Sequence, residues 1–226
     1  MKPSKFLCRC FLLPFVSAAF DQNRGGAVLK APAGDSFSSV TGTFTIPSLS
    51  GPDRLSIWVA IGDTLNQDYV LQGGVKYDNS TLSTFANWFP KNATDTTAEV
   101  GVKTNDVITI TVSVMDGMPE MGTVVIENRS QNKTTTQTLD APANINPSKL
   151  TALAADWFVQ AYQMAGELVQ VPSFGTVNFT DVSATITSGK KVGATGAGTF
   201  VIQGTSGQQY SSTTVTESTI AVKQQI

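Results

Sequence analysis

The sequence predicts an all-β protein, a sandwich or a barrel, and three observations carry that expectation. Two runs, Val40 to Ile46 and Val107 to Met115, alternate strictly between apolar and polar residues. Successive side chains of a strand point to opposite faces, so a period of two marks a half-buried strand. Only 14% of the 226 residues are charged while Ser, Thr and Gly abound, a balance that suits Thr-rich strands better than helices. Turn residues recur about every ten residues, the spacing of short antiparallel strands.

Taken in order, Asn23 to Leu29 reads as an opening strand with a glycine bend at Gly25-Gly26. Val40, Gly42, Phe44 and Ile46 then share one face and Thr41, Thr43 and Thr45 the other, before a loop over Pro47 to Pro52. Ile57 to Ile61 and Tyr69 to Leu71 read as a strand pair, the second strand delivering Gln72 and the pair Gly73-Gly74. A lone amide between apolar residues and two glycines is unusual strand chemistry. The glycines mark either a hairpin bulge or a close approach of another backbone or a ligand. Ser83 to Phe89 follows, stopped by Pro90. Val107 to Met115 turns at Asp116-Gly117 and returns as Gly122 to Glu127. Thr134 to Leu139, Thr176 to Ile186, Thr199 to Gln203 and Thr213 to Val222 complete the strands.

One segment disagrees. From Ser148 to Leu168, the residues Leu150, Leu153, Trp157, Ala161, Met164 and Leu168 recur at three and four, the period of an amphipathic helix. The alternative is a strand over Ala155 to Tyr162, with Asp156, Phe158, Gln160 and Tyr162 on one face. The local pattern prefers the helix. No linker or internal repeat divides the chain, which reads as one domain over residues 19–226 behind a secretory signal at 1–18. Lys2 and Lys5 supply the signal's positive end, Phe11 to Val16 its apolar run, and Val16-Ser17-Ala18 its cleavage site. The expected product is secreted and extracellular, with no membrane span in the mature form.

Composition closes off several chemistries. There is no histidine, which excludes Ser-His-Asp and Cys-His nucleophile systems and His-based zinc sites. Cys8 and Cys10 are the only cysteines. Asp63-Thr64 and Asp78-Asn79 read as turn chemistry, so no metal or cofactor is expected. The net charge of −2, with no basic run, excludes a nucleic-acid partner. Sequons at Asn79, Asn92, Asn128, Asn132 and Asn178 would be glycan acceptors in a secreted eukaryotic protein.

Several motifs, in order, give the chain a family resemblance: Asn23-Arg24-Gly25-Gly26-Ala27, VTGTFTIP from Val40 to Pro47, Trp58-Val59-Ala60-Ile61, and Val70-Leu71-Gln72-Gly73-Gly74. Trp88-Phe89-Pro90, Ala155 to Gln160 (ADWFVQ), and Phe174 to Thr180 (FGTVNFT) extend the set. Together they resemble the glutamic peptidases, or eqolisins, over roughly residues 23–225. The resemblance implies a concanavalin A-like antiparallel β-sandwich of two large sheets with a substrate cleft on one face. It implies a strand, not a helix, over Ala155 to Tyr162. It also implies peptide-bond hydrolysis by a Gln/Glu dyad acting on a peptide or protein substrate, by a monomer. In that scheme the Glu is general base to a water and then general acid to the leaving amine, and the Gln amide holds the water and the oxyanion.

Gln72 sits at the family's Gln position, but the catalytic Glu position reads Gln160. An amide can neither take a proton from water nor return one. Family carboxylate positions read Gly62, Ser83 and Asn87, and the N-terminal cleft aromatic reads Arg24. Trp58, Trp88, Phe89 and Tyr162 are the expected substrate-binding residues, with core packing as the alternative for Trp58 and Trp88 and the preferred reading for Trp157. Asp156 shares a strand face with Gln160 but lies about 13 Å along the chain from it, and Glu167 lies beyond Gly166. Neither substitutes for the missing base. Three functions follow: an active acid endopeptidase using another acid, a non-catalytic peptide-binding homologue, and a carbohydrate-binding sandwich with Trp58, Trp88 and Phe89 as a platform.

Overall fold

A computed structural model describes residues 18–51, 53–62, 68–115, 117–143, 145, 150–164, 167–168 and 171–225. Residues 1–17 of the expected signal at 1–18, the expected turn at Asp63-Thr64, Asp116 of the expected Asp116-Gly117 turn and the expected helix start at Ser148 lie outside them. No helix occurs among the described residues, and so none there is long and apolar enough to cross a membrane. The strands are β1 (Ala19–Asp21), β2 (Arg24–Lys30), β3 (Phe37–Thr45), β4 (Leu55–Gly62), β5 (Val70–Asp78) and β6 (Thr81–Phe89). Next come β7 (Thr94–Asp95), β8 (Val107–Met115), β9 (Met118–Asn128), β10 (Lys133–Asp140), β11 (Ala154–Ala161) and β12 (Gln163–Met164). The last are β13 (Glu167–Leu168), β14 (Thr176–Ile186), β15 (Lys191–Val192), β16 (Gly198–Ile202), β17 (Ser211–Val215) and β18 (Ile220–Gln224).

They form an antiparallel β-sandwich of two large sheets, as the sequence leads one to expect. One sheet runs β1-β16-β2-β11-β4-β5-β6-β7, with only the edge pair β1–β16 parallel. The other runs β10-β9-β8-β3-β14-β18-β17, with β15 beside β14. The alternating runs explain the packing: Val40 and Phe44 of β3 and Ile108, Ile110 and Val112 of β8 are buried between the sheets. On the other face of the same pair, hydroxyls meet across the ladder, Thr43 with Thr109 at 2.9 Å and Thr41 with Thr111 at 3.1 Å.

Over Ala154–Ala161 the structure has the strand that the family resemblance implies, and the helical reading of the local pattern is overturned there. β11 pairs with β2 on one side and β4 on the other, so its backbone is satisfied only as a central strand. Six of its residues, Ala154, Ala155, Trp157, Phe158, Val159 and Ala161, are fully buried, on both faces. A strand covered on both faces loses the alternation that would identify it, and its apolar residues then fall by accident at helical spacing. Thr213 to Val222 is likewise two strands, β17 and β18, joined by a turn in which Thr219 N donates to Thr216 Oγ1 at 3.1 Å. The Thr-rich composition concealed that turn.

Asp106 anchors the end of the β8–β9 pair. Its Oδ2 accepts from Asn128 Nδ2 at 2.8 Å, Gln131 Nε2 at 2.6 Å and Lys103 N at 3.0 Å. Burial alone would raise this carboxyl, but the donors of Asn128, Gln131 and Lys103 outweigh it and hold it below its ordinary value. A depressed carboxyl contributes stability that is fully present above the unfolded value, about pH 4, and is lost as pH falls through the folded one. Asp106→Ala is expected to cost about 2–4 kcal/mol at pH 7. Urea denaturation at pH 7 and pH 3 should show that gap narrowing in acid; an unchanged gap would mean the ionised carboxylate is not its source.

The same cluster corrects one sequon. Asn128 is fully buried, its Nδ2 donating to Asp106 and to Gly101 O at 2.9 Å and its Oδ1 accepting from Gln131 N at 3.1 Å. A glycan there is incompatible with this packing, whereas Asn79, Asn92, Asn132 and Asn178 are exposed. Peptide mapping of protein from a glycosylating host should find Asn128 unmodified.

Candidate active site

The outer face of the β1-to-β7 sheet carries a cleft of about 520 Å³. Strand alternation selects what faces it. From β5, Val70, Gln72 and Lys76 point outward, while Leu71, Val75 and Tyr77 join the core between the sheets. From β4, Ser56 and Trp58 face the cleft and Ile57, Val59 and Ile61 the core. β11 contributes Gln160 outward and Trp157 and Val159 inward. Both amides singled out in the sequence therefore line one cavity.

The cross-strand register sets their relation. Gln160 lies opposite Arg24 and Ser56, and Ser56 opposite Lys76. Phe158 faces Trp58, which faces Gly74 and, beyond it, Phe85. Asp156 faces Ala60, which faces Gln72 and then Asn87. The two glutamines thus lie two rows of outward side chains apart, with the Trp58 row between them, and make no direct hydrogen bond. Trp58 bridges toward one of them: its Nε1 donates to Gln160 Oε1 at 2.9 Å. An indole nitrogen can only donate, so the amide's carbonyl end is the one engaged and its NH2 is left for the cleft. Gln72 makes no side-chain hydrogen bond among the described residues.

The glycine pair beside Gln72 is explained by close approach and not by a bulge. β4 and β5 pair in unbroken register from Leu55–Tyr77 to Ile61–Leu71. A Cβ on Gly73 would lie 2.3 Å from Val124 Cγ1 of the facing sheet, and one on Gly74 would lie 2.3 Å from Ile57 O and 2.8 Å from Trp58 Cβ. These absent side chains let the second sheet and the indole close on the strand that carries Gln72.

The expected substrate-binding residues divide. Phe89, 44% exposed, and Tyr162, 36% exposed with its hydroxyl 3.1 Å from Ser56 Oγ, line the cleft. Trp58 lines it with its edge; its ring is 3% exposed and packs at 5.0 Å on Phe158. Trp88 does not line it. Its even position on β6 sends it to the core side, where it is 3% exposed, while Phe85, Asn87 and Phe89 take the cleft side. Asp156 is fully buried and does not reach the cavity wall, and the side chain of Glu167 lies outside the described residues.

Sequence reasoning missed Arg54 and Lys76. Lys76 was legible as the outward residue four beyond Gln72; Arg54, just before β4, had no such signal. With Arg24 they give the wall three cations and, among the described residues, no carboxylate. Arg24 donates twice to Asp21 Oδ2, from Nη2 at 2.6 Å and Nε at 3.0 Å, and sits 5.4 Å over the Phe158 ring. Arg54 and Lys76 share Asp78 Oδ2 at 2.9 and 3.3 Å. Desolvation pushes Asp78 up, but these two cations more than offset it and hold the carboxyl below its ordinary value. Asn87, where the family resemblance leads one to expect a carboxylate, donates Nδ2 to Lys91 O at 3.1 Å, and its Oδ1 is buried with no hydrogen-bond partner among the described residues. No group of three or more metal-ligating side chains occurs among the described residues.

The fold is that of scytalido-glutamic peptidase, solved with a peptide-based transition-state analog: TM-score 0.74 at 24% identity, covering 91% of this chain and 99% of that one. It is also that of SCP-B, an eqolisin solved with the tripeptide Ala-Ile-His, with TM-score 0.73 at 22% identity and the same coverage. In sequence the chain is similar to Aspergillopepsin-2 of Aspergillus niger, 26% identical over 204 residues that span 79% of this chain and 69% of that protein. Residues 22–224 match the Peptidase A4 family, and the chain belongs to that family.

Proposed function

We propose that this chain is a secreted, monomeric member of the glutamic-peptidase family that keeps the peptide-binding cleft and has lost hydrolysis. One observation carries the reading: Gln72 and Gln160 line a common cleft whose described wall holds no Asp or Glu. Hydrolysis needs a group that removes a proton from the attacking water and delivers one to the leaving amine. Gln72 can still orient a water or donate to an oxyanion, because its amide is uncommitted. Gln160 cannot exchange a proton, and its carbonyl is held by Trp58. Asp156, the nearest acid in sequence, is buried away from the cavity wall. The peptide-derived ligands of the solved relatives support a peptide as the occupant.

A carbohydrate platform finds no support, since Trp58 and Trp88 are each 3% exposed and only Phe89 presents a face. The test is peptide hydrolysis at acid pH by the purified protein beside Gln160→Glu. Activity confined to the variant supports the reading, and activity in the unmodified protein overturns it.

A further inference from the structure

The charge of the cleft points to its ligand. Arg24, Arg54 and Lys76 face the cavity, and the carboxylates near them, Asp21, Asp78 and Asp95, do not line it. Asp21 is fully engaged by Arg24, but Arg54 and Lys76 divide one oxygen of Asp78 between them. Asp95 also feels the charge of Lys76 from outside the wall, but no carboxylate among the described residues lies on the wall itself, so the charge the Arg54–Lys76 end presents to the cavity is positive, in a chain that is acidic as a whole. The amides add to this polarity. With its carbonyl turned to the Trp58 indole, Gln160 has both NH2 donors uncommitted, and it stands in the same cross-strand row as Lys76. This end of the cleft therefore presents hydrogen-bond donors and positive charge where a hydrolytic dyad would present a carboxylate. Farther along the cleft, Phe85 on one side of the Gln72–Asn87 row and Val70 and Phe89 on the other offer apolar surface.

From this juxtaposition we infer that the cleft binds carboxylate-bearing peptides, seating the carboxylate at Lys76, Arg54 and Gln160 and an apolar side chain against Phe85 and Phe89. The inference rests on the reading of this cleft as a peptide site and adds the class of peptide. The carboxylate has two possible sources, an Asp or Glu side chain and the peptide's own C-terminus.

Fluorescence anisotropy with the full chain at pH 7 and low salt, using three labelled octapeptides, separates them. One carries Asp and Glu with an amidated C-terminus, one carries Asn and Gln in their place and is amidated, and one carries Asn and Gln with a free C-terminus. A preference of about tenfold or more for either carboxylate peptide over the fully amidated neutral one is expected, and which one wins names the source. The preference should fall toward unity in Lys76→Gln and Arg54→Gln and weaken at high salt. Both side chains are partly exposed, at 38% and 57%, so an unchanged melting temperature will show that each variant remains folded. Equal binding of all three peptides overturns the charge inference and leaves a peptide cleft; no binding of any peptide overturns the peptide reading as well.

Discussion

Gln160→Glu is expected to raise peptide hydrolysis at acid pH by about 10²–10⁴-fold over the unmodified protein, the contribution of one positioned acid–base group. The substitution is nearly isosteric, and the position is prepared for it. Trp58 Nε1, now donating to the Gln160 carbonyl at 2.9 Å, would donate equally well to one carboxylate oxygen and leave the other toward the cleft. Gln72 remains uncommitted across the same cavity and, on the proposed reading, would serve as the second member of the dyad. Arg24, opposite position 160, favours the ionised carboxylate and so tends to hold its activity in the acid range. Adding Gln72→Ala to that variant should then remove about 10²–10³-fold, the typical loss for one oxyanion donor. Hydrolysis by the unmodified protein would require another acid, Asp156 first, and would contradict its burial. Silence in both proteins would mean that the cations of the wall or the changed family acids at Gly62, Ser83 and Asn87 also matter. The chain would then be a binding module whatever stands at position 160.

Trp157→Ala is expected to remove about 3–5 kcal/mol of stability, a large share of the roughly 5–15 kcal/mol that a domain possesses. Trp157 is fully buried between the sheets, and its Nε1 donates to Thr41 O at 3.0 Å. The indole lies over Gly42, where an added Cβ would come within 2.8 Å of Cδ1. Truncation opens a cavity in the centre of the sandwich and removes the donor that Thr41's carbonyl meets. Trp157→Phe retains most of the volume and loses chiefly that hydrogen bond, so it should cost about 1–3 kcal/mol. Urea denaturation of the two variants separates the packing contribution from the polar one. A loss below 1 kcal/mol for the alanine variant would mean that the indole is not the centre of this core.

The sequence by itself determined the fold class and the residue types available for chemistry. Alternation of period two exposed the strands that have one wet face, such as β3 and β8, because the contrast between their faces is written along the chain. The identity of residue 160 is likewise a fact of sequence, and no folding can make an amide a base. Tertiary structure decided what local pattern could not. β11 reads locally as a helix until it is seen paired between β2 and β4 with both its faces buried, since burial on two faces erases the alternation. Trp88 could be assigned to the cleft or to the core until its register on β6 showed which way it points, because a shift of one residue exchanges the two faces. The positive end of the cleft came only from the fold. Arg24, Arg54 and Lys76 lie on separate stretches of chain, and the charge they present together arises from strand pairing, which brings side chains far apart in sequence to within a few strand widths.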